Sequence, residues 1–180
     1  MTIQVLNSLT KEQLENLGHD GYESDQIYNL TLNTGENSFL FKLAVENLKE
    51  KYVKDYETTS EDIDVYNNIV LEGNSFGAYD NGLLVGFAIC KEHEWNNSLY
   101  LCNLLVSQKD RQKGIGQLLI EKIIEHAKNK KIRLIELETQ NTNVPAITFY
   151  QKQGFKITGL KTNLYNKDVI EKAIYMTFEI

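Results

Sequence analysis

A basic, glycine-bearing turn is the part of this 180-residue chain whose residue types point most directly to chemistry. The turn spans residues 111–116 (RQKGIG), between an apolar run that ends at Val106 and an amphipathic helical pattern. The first N–H groups of a helix have no helical partners, and the helix dipole favours negative charge beside them. Glycines let a ligand approach the backbone closely. The arrangement predicts a pyrophosphate site and therefore a nucleotide-type cofactor.

Two common nucleotide-binding motifs are absent from this turn. A dinucleotide site needs GxGxxG, whereas Gly116 is followed by QLL and the third glycine is missing. The phosphate loop of nucleotide triphosphatases needs GxxxxGK[ST], which does not occur. NAD and ATP are therefore both disfavoured as ligands.

A second segment, residues 143–155 (NVPAITFYQKQGF), narrows the choice of cofactor. With this segment the sequence resembles the GCN5-related N-acetyltransferase (GNAT) superfamily, whose R/Q-x-x-G-x-G/A turn binds the pyrophosphate of acetyl-CoA. Arg111, Gly114 and Gly116 match that turn in full. The superfamily's later pattern, N-x-x-A-x-x-F-Y-x-x-x-G-F, is matched at Asn143, Ala146, Phe149, Tyr150, Gly154 and Phe155.

The resemblance implies an acetyl-CoA-dependent N-acetyltransferase that uses no metal and transfers the acetyl group directly in a ternary complex. It implies an α/β (α+β) GNAT fold, with a mixed, mostly antiparallel central sheet of about seven strands. Helices would cover both faces, and a βαβ unit would form the acetyl-CoA-binding core. We expect one domain over residues 1–180, with that core at about 69–158.

The C-terminal half is most similar to the streptothricin acetyltransferases. The similarity rests on residues 137–140 and 143–155, on residues 162–165 and on residues 171–173. It implies a small cationic amine acceptor, with the β-lysine amine of streptothricin favoured, and hence inactivation of that antibiotic. Protein N-termini and polyamines are alternative acceptors. A non-catalytic acetyl-CoA-binding module is an alternative of another class, against which the presence of Tyr150 and Glu138 argues.

Glu138 is the sharpest candidate for a catalytic base. Acetyl transfer needs a neutral amine, yet a primary amine with a pKa near ~10.4 is only ~0.1% neutral at pH 7. Glu138 ends an apolar strand pattern, and ligands bind at the carboxyl ends of strands in open α/β sheets. Some members of the superfamily also use a glutamate at this strand position. The alternative is that Glu138 only orients the substrate, and Glu136 on the same strand face is a weaker candidate.

Tyr150 is the candidate general acid, because a phenol can donate its proton to the departing thiolate. The superfamily places its acid tyrosine at this motif position, and Phe149 beside it suits the core better. Asn143 suits a helix cap and, by resemblance, contacts pantetheine. We expect residues 104–106 to splay from the neighbouring strand and offer a backbone N–H to the oxyanion. The predicted cofactor-binding residues are Leu104, Leu105, Val106, Arg111, Gln112, Lys113, Gly114, Ile115, Gly116, Asn143 and Tyr150.

Cys102-Asn103 marks a departure from related sequences, which often carry acidic residues on this strand. A base on this strand is therefore in doubt. Cys102 could instead be a nucleophile that forms an acyl-enzyme. No histidine lies near it in sequence, and a buried strand cysteine is usually inert. The inert role is therefore preferred.

An acidic and aromatic run before residue 65, which comprises residues 55–57 (DYE) and Glu61, Asp62 and Asp64, suggests an acceptor site. Asp55, Tyr56 and Glu57, together with Glu138 and Tyr165, are the predicted substrate-binding residues, and Tyr28 and Tyr52 could also line the site. The functional interpretation is a funnel for a polycationic acceptor. The alternative, which we prefer for the acidic run, is a solvated loop with acids in the first turn of a helix.

The composition limits the other classes of function. A formal net charge of −6 argues against a nucleic-acid-binding protein, and no apolar run reaches the length of a membrane span. No secretory signal and no cysteine–histidine cluster is visible, which predicts a cytoplasmic protein without a structural metal. A homodimer is an open option.

Periodicity and turn signals predict the elements that must position these residues. Helices are expected at residues 10–17, with a capping box of Thr10 and Gln13, at 60–67, at 115–130 and at 145–153. Two hairpins are expected, one at 27–32 and 38–45 around residues 33–35, the other at 76–79 and 83–90 around an Asn-Gly turn. Further strands are expected at 3–6, 99–106, 132–139, 155–158 and 174–178, with 99–106 and 132–139 parallel.

Overall fold

The computed structural model describes residues 1–18, 21–56 and 58–180. In chain order the strands and α-helices are β1 (Thr2–Val5), α1 (Lys11–Leu17), β2 (Tyr22–Gly35), β3 (Ser38–Lys54), α2 (Ser60–Val70), β4 (Phe76–Asp80), β5 (Leu83–His93), β6 (Ser98–Val106), α3 (Ile115–Lys130), β7 (Leu134–Gln140), α4 (Val144–Lys152), β8 (Lys156–Lys161) and β9 (Ala173–Glu179).

Seven of these strands form one sheet in the order β1-β4-β5-β6-β7-β9-β8. Only β6 and β7 run parallel, because α3 connects them, and every other neighbouring pair is antiparallel. The predicted mixed, mostly antiparallel sheet of seven strands and its βαβ unit are confirmed. Strands β2 and β3 form a separate two-stranded sheet.

Two apolar clusters show how the sheet is covered on both faces. On one face, α3 packs through Leu119 and Ile123, and α4 through Ile147, against sheet residues such as Leu101. On the other face, helices α1 and α2 cover Phe87 and its neighbours on β5 and β6. The predicted position of helices on both faces is confirmed, and the middle of the sheet is held between them.

The helix starts follow the predicted capping chemistry. Thr10 caps α1, since its side chain accepts from the backbone N–H of Gln13 while the Gln13 side chain bonds the Thr10 backbone. Thr59 and Asp62 form the same reciprocal box at the start of α2. At α4, the Asn143 side chain accepts from Ala146 N at 3.2 Å. Asp62 therefore belongs to a helix cap, as the preferred interpretation of the acidic run proposed.

The first hairpin differs from its prediction in length and in turn position. Strands β2 and β3 have 14 and 17 residues, and the turn lies between Gly35 and Ser38. Residues 33–35, predicted as the turn, are therefore part of β2. The register pairs Leu32 with Phe41, so matching of apolar side chains across the strands overrides the local turn signal.

Strands β6 and β7 separate at the middle of the sheet, which confirms the predicted splay. Their register runs only from Ser98–Leu134 to Leu101–Leu137. A register shift against β5 leaves Cys102 unopposed on β6, and such a bulge bends the strand that carries it. Residues 103–106 then stay paired to β5 alone. A gap therefore opens between β6 and the end of β7.

Within the described part of the chain, no helix is long and apolar enough to cross a membrane. The cytoplasmic location stays a prediction. Among the same residues, no three histidine, cysteine, aspartate or glutamate side chains are grouped to hold a metal ion.

Candidate active site

A cavity of about 510 Å³ lies where the splayed end of β6 meets the starts of α3 and α4. We call it the α3 cavity. Its lining residues come mainly from the two segments singled out in the sequence, and they are Gly21, Tyr22, Leu104, Leu105, Val106, Asp110, Arg111, Gln112, Gly114, Ile115, Gly116, Gln117, Asn143, Pro145, Ala146, Phe149, Tyr150 and Gln153. All predicted cofactor-binding residues except Lys113 therefore line one cavity.

The turn before α3 has a shape that suits an anionic ligand. Gln112 and Gly114 both have positive φ, +64° and +84°, which turns successive N–H groups toward a common side. Nothing lies within 4 Å of a Cβ added at Gly114. A Cβ at Gly116 would lie 3.2 Å from the Phe149 ring. The backbone is thus bare at the helix start, where the dipole favours pyrophosphate.

The two basic side chains of the turn differ in their surroundings. Lys113 Nζ bonds Asp110 Oδ1 at 2.8 Å and does not line the cavity. The Arg111 guanidinium lines the cavity and lies within 3.5 Å of the carbonyl oxygens of Val106 and Gly21. Arg111 therefore fastens the turn to β6 and to the chain before β2.

A second cavity of about 310 Å³ opens at the end of β7 and adjoins the first. We call it the β7 cavity. It is lined by Gly21, Tyr22, Lys54, Tyr56, Tyr66, Leu101, Cys102, Asn103, Leu104, Leu105, Leu137, Glu138, Thr139, Gln140, Asn143, Ala146 and Tyr150. Several of these residues also line the α3 cavity, among them Leu104, Asn143 and Tyr150. The two cavities therefore meet at the gap between β6 and β7.

Glu138 is held in the β7 cavity by a short hydrogen-bond chain. The Tyr165 hydroxyl donates to Glu138 Oε1 at 2.6 Å and accepts from Gln140 Nε2 at 3.0 Å. Burial raises the pKa of the Glu138 carboxyl, the Tyr165 bond opposes that rise, and the charge of Glu171 adds to it. Glu138 thus keeps an oriented carboxyl whose proton affinity is above that of an ordinary glutamate.

Tyr150 stands at the junction of the two cavities. Its side chain is 9% exposed and packs edge to face against Phe149. Burial raises the pKa of its phenol. The group is therefore protonated at neutral pH, and in this protonated state it can serve as an acid but not as a base. Our expectation that Phe149 is the core aromatic was wrong. Phe149 is half-buried and lines the α3 cavity, because the turn of α4 directs Tyr150 inward.

Cys102 has the properties of a structural thiol rather than a nucleophile. Burial raises its pKa to about 11, so almost none of it is thiolate at neutral pH. Its Sγ lies 3.7 Å from the carbonyl oxygen of Tyr100. Asn103 beside it donates to the Tyr66 hydroxyl at 3.0 Å, which ties β6 to α2 in the lining of the β7 cavity.

The base of the β2–β3 hairpin forms the remaining wall of the β7 cavity. Glu171 is 3% exposed and accepts at Oε1 from both Lys54 Nζ, at 2.7 Å, and the Tyr52 hydroxyl, at 3.0 Å. The Tyr22 hydroxyl lies 2.6 Å from Thr142 Oγ1. These bonds join the hairpin to the loops that follow β7 and precede β9.

Comparison with known proteins agrees with this arrangement. The family model described as acetyltransferase (GNAT) family matches residues 41–155, more than half of the chain. The chain belongs to the acetyltransferase (GNAT) family. The match confirms the predicted family and, at that level, the enzyme class and its acetyl-CoA co-substrate.

Similar proteins include two streptothricin acetyltransferases. The chain is 34% identical over 99 residues to the enzyme of Streptomyces lavendulae, covering 54% of this chain and 52% of that protein. It is 32% identical over 123 residues to streptothricin acetyltransferase A of Bacillus subtilis (strain 168), covering 67% and 68%. The match thus spans about half the length of the Streptomyces protein.

A solved structure extends the similarity over the full chain. It is described as a streptothricin acetyltransferase of Bacillus anthracis str. Ames in complex with acetyl coenzyme A. Its TM-score to this chain is 0.75 at 29% identity, with 99% of this chain and 100% of that chain covered. The GNAT fold is therefore confirmed beyond the segment that the family model matches.

The predicted acceptor residues are not all brought together. Tyr56, Glu138 and Tyr165 lie at or beside the β7 cavity, whereas Asp55 lines a neighbouring cavity with Arg111. Glu57 lies outside the described residues. Among the other tyrosines, Tyr52 bonds Glu171, while Tyr28 packs on the core and does not line the β7 cavity.

Four residues of the β7 cavity or its wall are not predicted as site residues from the sequence. Tyr66 and Asn103 carry no recognisable local pattern, since one lies on α2 and the other on β6. Lys54 and Glu171 are 117 positions apart, and only the fold brings them together. The sequence predicts the helix α2, but its capping residues do not indicate which face of the helix turns to the site.

Proposed function

We propose that this GNAT chain transfers an acetyl group from acetyl-CoA to a primary amine of a small cationic acceptor, with the β-lysine amine of streptothricin favoured. Acetyl-CoA occupies the α3 cavity and the acceptor enters the β7 cavity. The observation that carries this proposal is the junction of the two cavities at the β6–β7 gap, with Tyr150 lining both. Donor and acceptor then meet without a covalent enzyme intermediate.

The residues of the α3 cavity fit acetyl-CoA. The bare backbone between Gln112 and Gly116 holds the pyrophosphate, and Asn143 and the splayed residues 104–106 hold the pantetheine arm. Because β6 has lost β7 as a partner beyond Leu101, the amides along that edge are available to the ligand. One of them stabilises the negative charge that develops on the carbonyl oxygen.

Two side chains move the protons. Glu138 accepts a proton from the acceptor ammonium and leaves the amine neutral. The amine nitrogen then forms a bond to the acetyl carbon as the bond from that carbon to sulfur breaks. Tyr150 donates its phenolic proton to the sulfur that leaves. The second proton of the amine nitrogen, lost as the amide forms, returns to the Tyr150 oxygen, and Glu138 releases the first proton to solvent. The raised pKa of Glu138 and the protonated phenol of Tyr150 suit these opposite roles.

The choice of acceptor rests on the chemistry of the β7 cavity and on the relatives. The Glu138 carboxylate lines this cavity together with Tyr56 and Tyr66, and both carboxylates and aromatic rings attract cations. The relatives named above are streptothricin acetyltransferases. Both lines of support favour a cationic small molecule over a neutral acceptor.

A thiol-release assay with purified protein and acetyl-CoA tests the proposal. The acceptors are streptothricin, aminoglycosides, polyamines and peptides that begin with different residues. Turnover on streptothricin is the expected result, and turnover only on peptides would overturn the acceptor assignment. Tight acetyl-CoA binding without turnover on any amine would favour a binding module instead.

Replacement of the acid tests the assignment of Tyr150. Tyr150→Phe should lower kcat by about 100-fold or more, the usual contribution of general acid catalysis, and leave acetyl-CoA affinity almost unchanged. Tyr175→Phe is the matched control, because Tyr175 lies on β9 and lines neither cavity. An unchanged kcat in Tyr150→Phe would remove Tyr150 from the acid role.

A further inference from the structure

The β2–β3 hairpin is amphipathic along its outer half. Its register places the pairs Leu30–Leu43, Leu32–Phe41 and Thr34–Phe39 on one face, since cross-strand partners share a face and alternate pairs point the same way. The pairs Thr31–Lys42 and Asn33–Leu40 lie on the other face. One face of the hairpin is therefore apolar almost to the turn.

The protein's own core covers only the inner part of this apolar face. Tyr28 and Leu43 pack against the core cluster of α3 and α4. Farther along, Leu32 is 47% exposed, Phe41 49% and Phe39 75%. Val45, which pairs with Tyr28 on the same face, is 45% exposed. We call Leu32, Phe39, Phe41 and Val45 the apolar strip.

The other face of the hairpin carries polar side chains that are hydrogen-bonded to one another or accessible to solvent. On this face Asn29 Nδ2 donates to Glu46 Oε1 at 3.0 Å. Gln26 Nε2 donates to Asn47 Oδ1 at 3.0 Å, and this pair lies at the inner end of the apolar face, away from its outer half. These groups need no further partner. By contrast, a two-stranded sheet has little stability of its own in water, and a strip of this kind marks an interaction surface.

We propose that the apolar strip is the interface between two copies of this chain, packed face to face about a two-fold axis. A two-fold contact brings a surface against its own copy, and a straight strip of leucine, valine and phenylalanine side chains is complementary to itself. The four side chains expose on the order of 400 Å² per copy, given about 150–250 Å² for a whole aromatic residue. Two copies thus bury about 800 Å² through the strip alone, half of a standard stable interface. Leu30 and the backbone beside the strip extend it.

The mass of the protein in solution tests the proposal and needs no enzymatic activity. Sedimentation at micromolar concentration should give twice the chain mass of 20.7 kDa. Phe39→Asp combined with Phe41→Asp should raise the dimer dissociation constant by about 100-fold, because each copy then presents two charges to an apolar contact. Leu40→Asp is the matched control: Leu40 is 59% exposed but points to the polar face, so this variant should stay a dimer.

A variant with a shortened hairpin provides a second test that does not depend on correct folding of the charged variants. Deletion of residues 32–35 and 38–41 closes the Thr31–Lys42 pair with the native two-residue turn and keeps the register. This variant should be a monomer that still binds acetyl-CoA. A monomeric wild-type protein, a dimer that survives loss of the strip, or a dimer broken by Leu40→Asp would each overturn the proposal. So would a wild-type monomer that binds phosphatidylglycerol vesicles through Phe39, since the strip would then be a membrane contact.

Discussion

Tyr165→Phe is the most informative single substitution at the proposed base. The Tyr165 hydroxyl donates to Glu138 at 2.6 Å, and this bond stabilises the ionised carboxylate. Burial raises the pKa of Glu138, while the bond from Tyr165 opposes that rise. A base works only when ionised, so kcat/KM falls as the pH drops through the pKa of Glu138. Removal of the hydroxyl raises that pKa further and moves the acid side of the pH profile to higher pH.

The size of the effect follows from the strength of the bond. A hydrogen bond to a charged group contributes about 1.5–3 kcal/mol to stability. Water can replace part of the lost bond, because Glu138 is only partly buried, so the lower end applies. A difference of about 1.4 kcal/mol is tenfold in a protonation equilibrium. We therefore expect kcat/KM to fall about tenfold at a pH on the acid side, with almost no change on the plateau.

The assay is a pH profile of kcat/KM for three proteins: wild type, Tyr165→Phe and the control Tyr175→Phe. Tyr175 pairs with Glu138 across β7 and β9, but no hydrogen bond joins their side chains among the described residues, so its profile should match the wild type. Equal loss of kcat/KM at every pH would assign Tyr165 a purely structural role. An unshifted acid side in Tyr165→Phe would show that Glu138 is not the group that titrates.

Two stability predictions concern the frame of the site. Gly86→Ala should lower the free energy of unfolding by about 1–3 kcal/mol, because a Cβ there would lie 2.9 Å from the carbonyl oxygen of Leu105. Urea unfolding measures this free energy. The control Leu83→Ala, on the exposed start of β5, should change the free energy of unfolding by less than about 0.5 kcal/mol. Glu171→Gln should cost about 1–3 kcal/mol, since Lys54 and Tyr52 lose a buried carboxylate partner. Glu23→Gln, which removes the exposed pair with Lys51, should cost almost nothing by the same measurement. Equal stability of Glu171→Gln and wild type would contradict the proposed anchoring of the hairpin.

The elements around the cofactor turn could be predicted because their signals are local. The apolar stripe of α3, the capping chemistry at Thr10 and Asn143, and the strand–helix–strand order each depend on residues close in sequence. The splay of residues 104–106 from the neighbouring strand is also a prediction that the structure confirms, although periodicity carries no signal for it. Structure that depends on residues close together in sequence is therefore predicted correctly around this turn.

The full length of the β2–β3 hairpin could not be predicted from the sequence. The last residues of β3 are strand because they pair with β2, and not because of their own strand propensity. Residues 46–54 (ENLKEKYVK) are rich in lysine and glutamate, which have low strand propensity. They form β3 because Tyr22 pairs with Lys54, and Glu23 with Val53, at its far end. The lining and wall of the β7 cavity also depend on contacts between distant residues, since Tyr66, Asn103 and Glu171 come from three distant parts of the chain. No short-range pattern relates them.

The buried contact of Lys54 with Glu171 explains how a lysine can line a cavity proposed for a cation. Lys54 alone would repel an ammonium group, since two like charges a few ångströms apart disfavour each other strongly where water is scarce. Glu171 is almost fully buried and lies 2.7 Å from the Lys54 nitrogen, so the pair presents little net charge to the cavity. Among the described residues, Glu138 has the neutral Tyr165 hydroxyl as its side-chain hydrogen-bond partner, so it supplies the uncompensated negative charge. In the proposed mechanism the same carboxylate attracts the acceptor and removes its proton, so that selection of a cationic amine and its activation depend on one group.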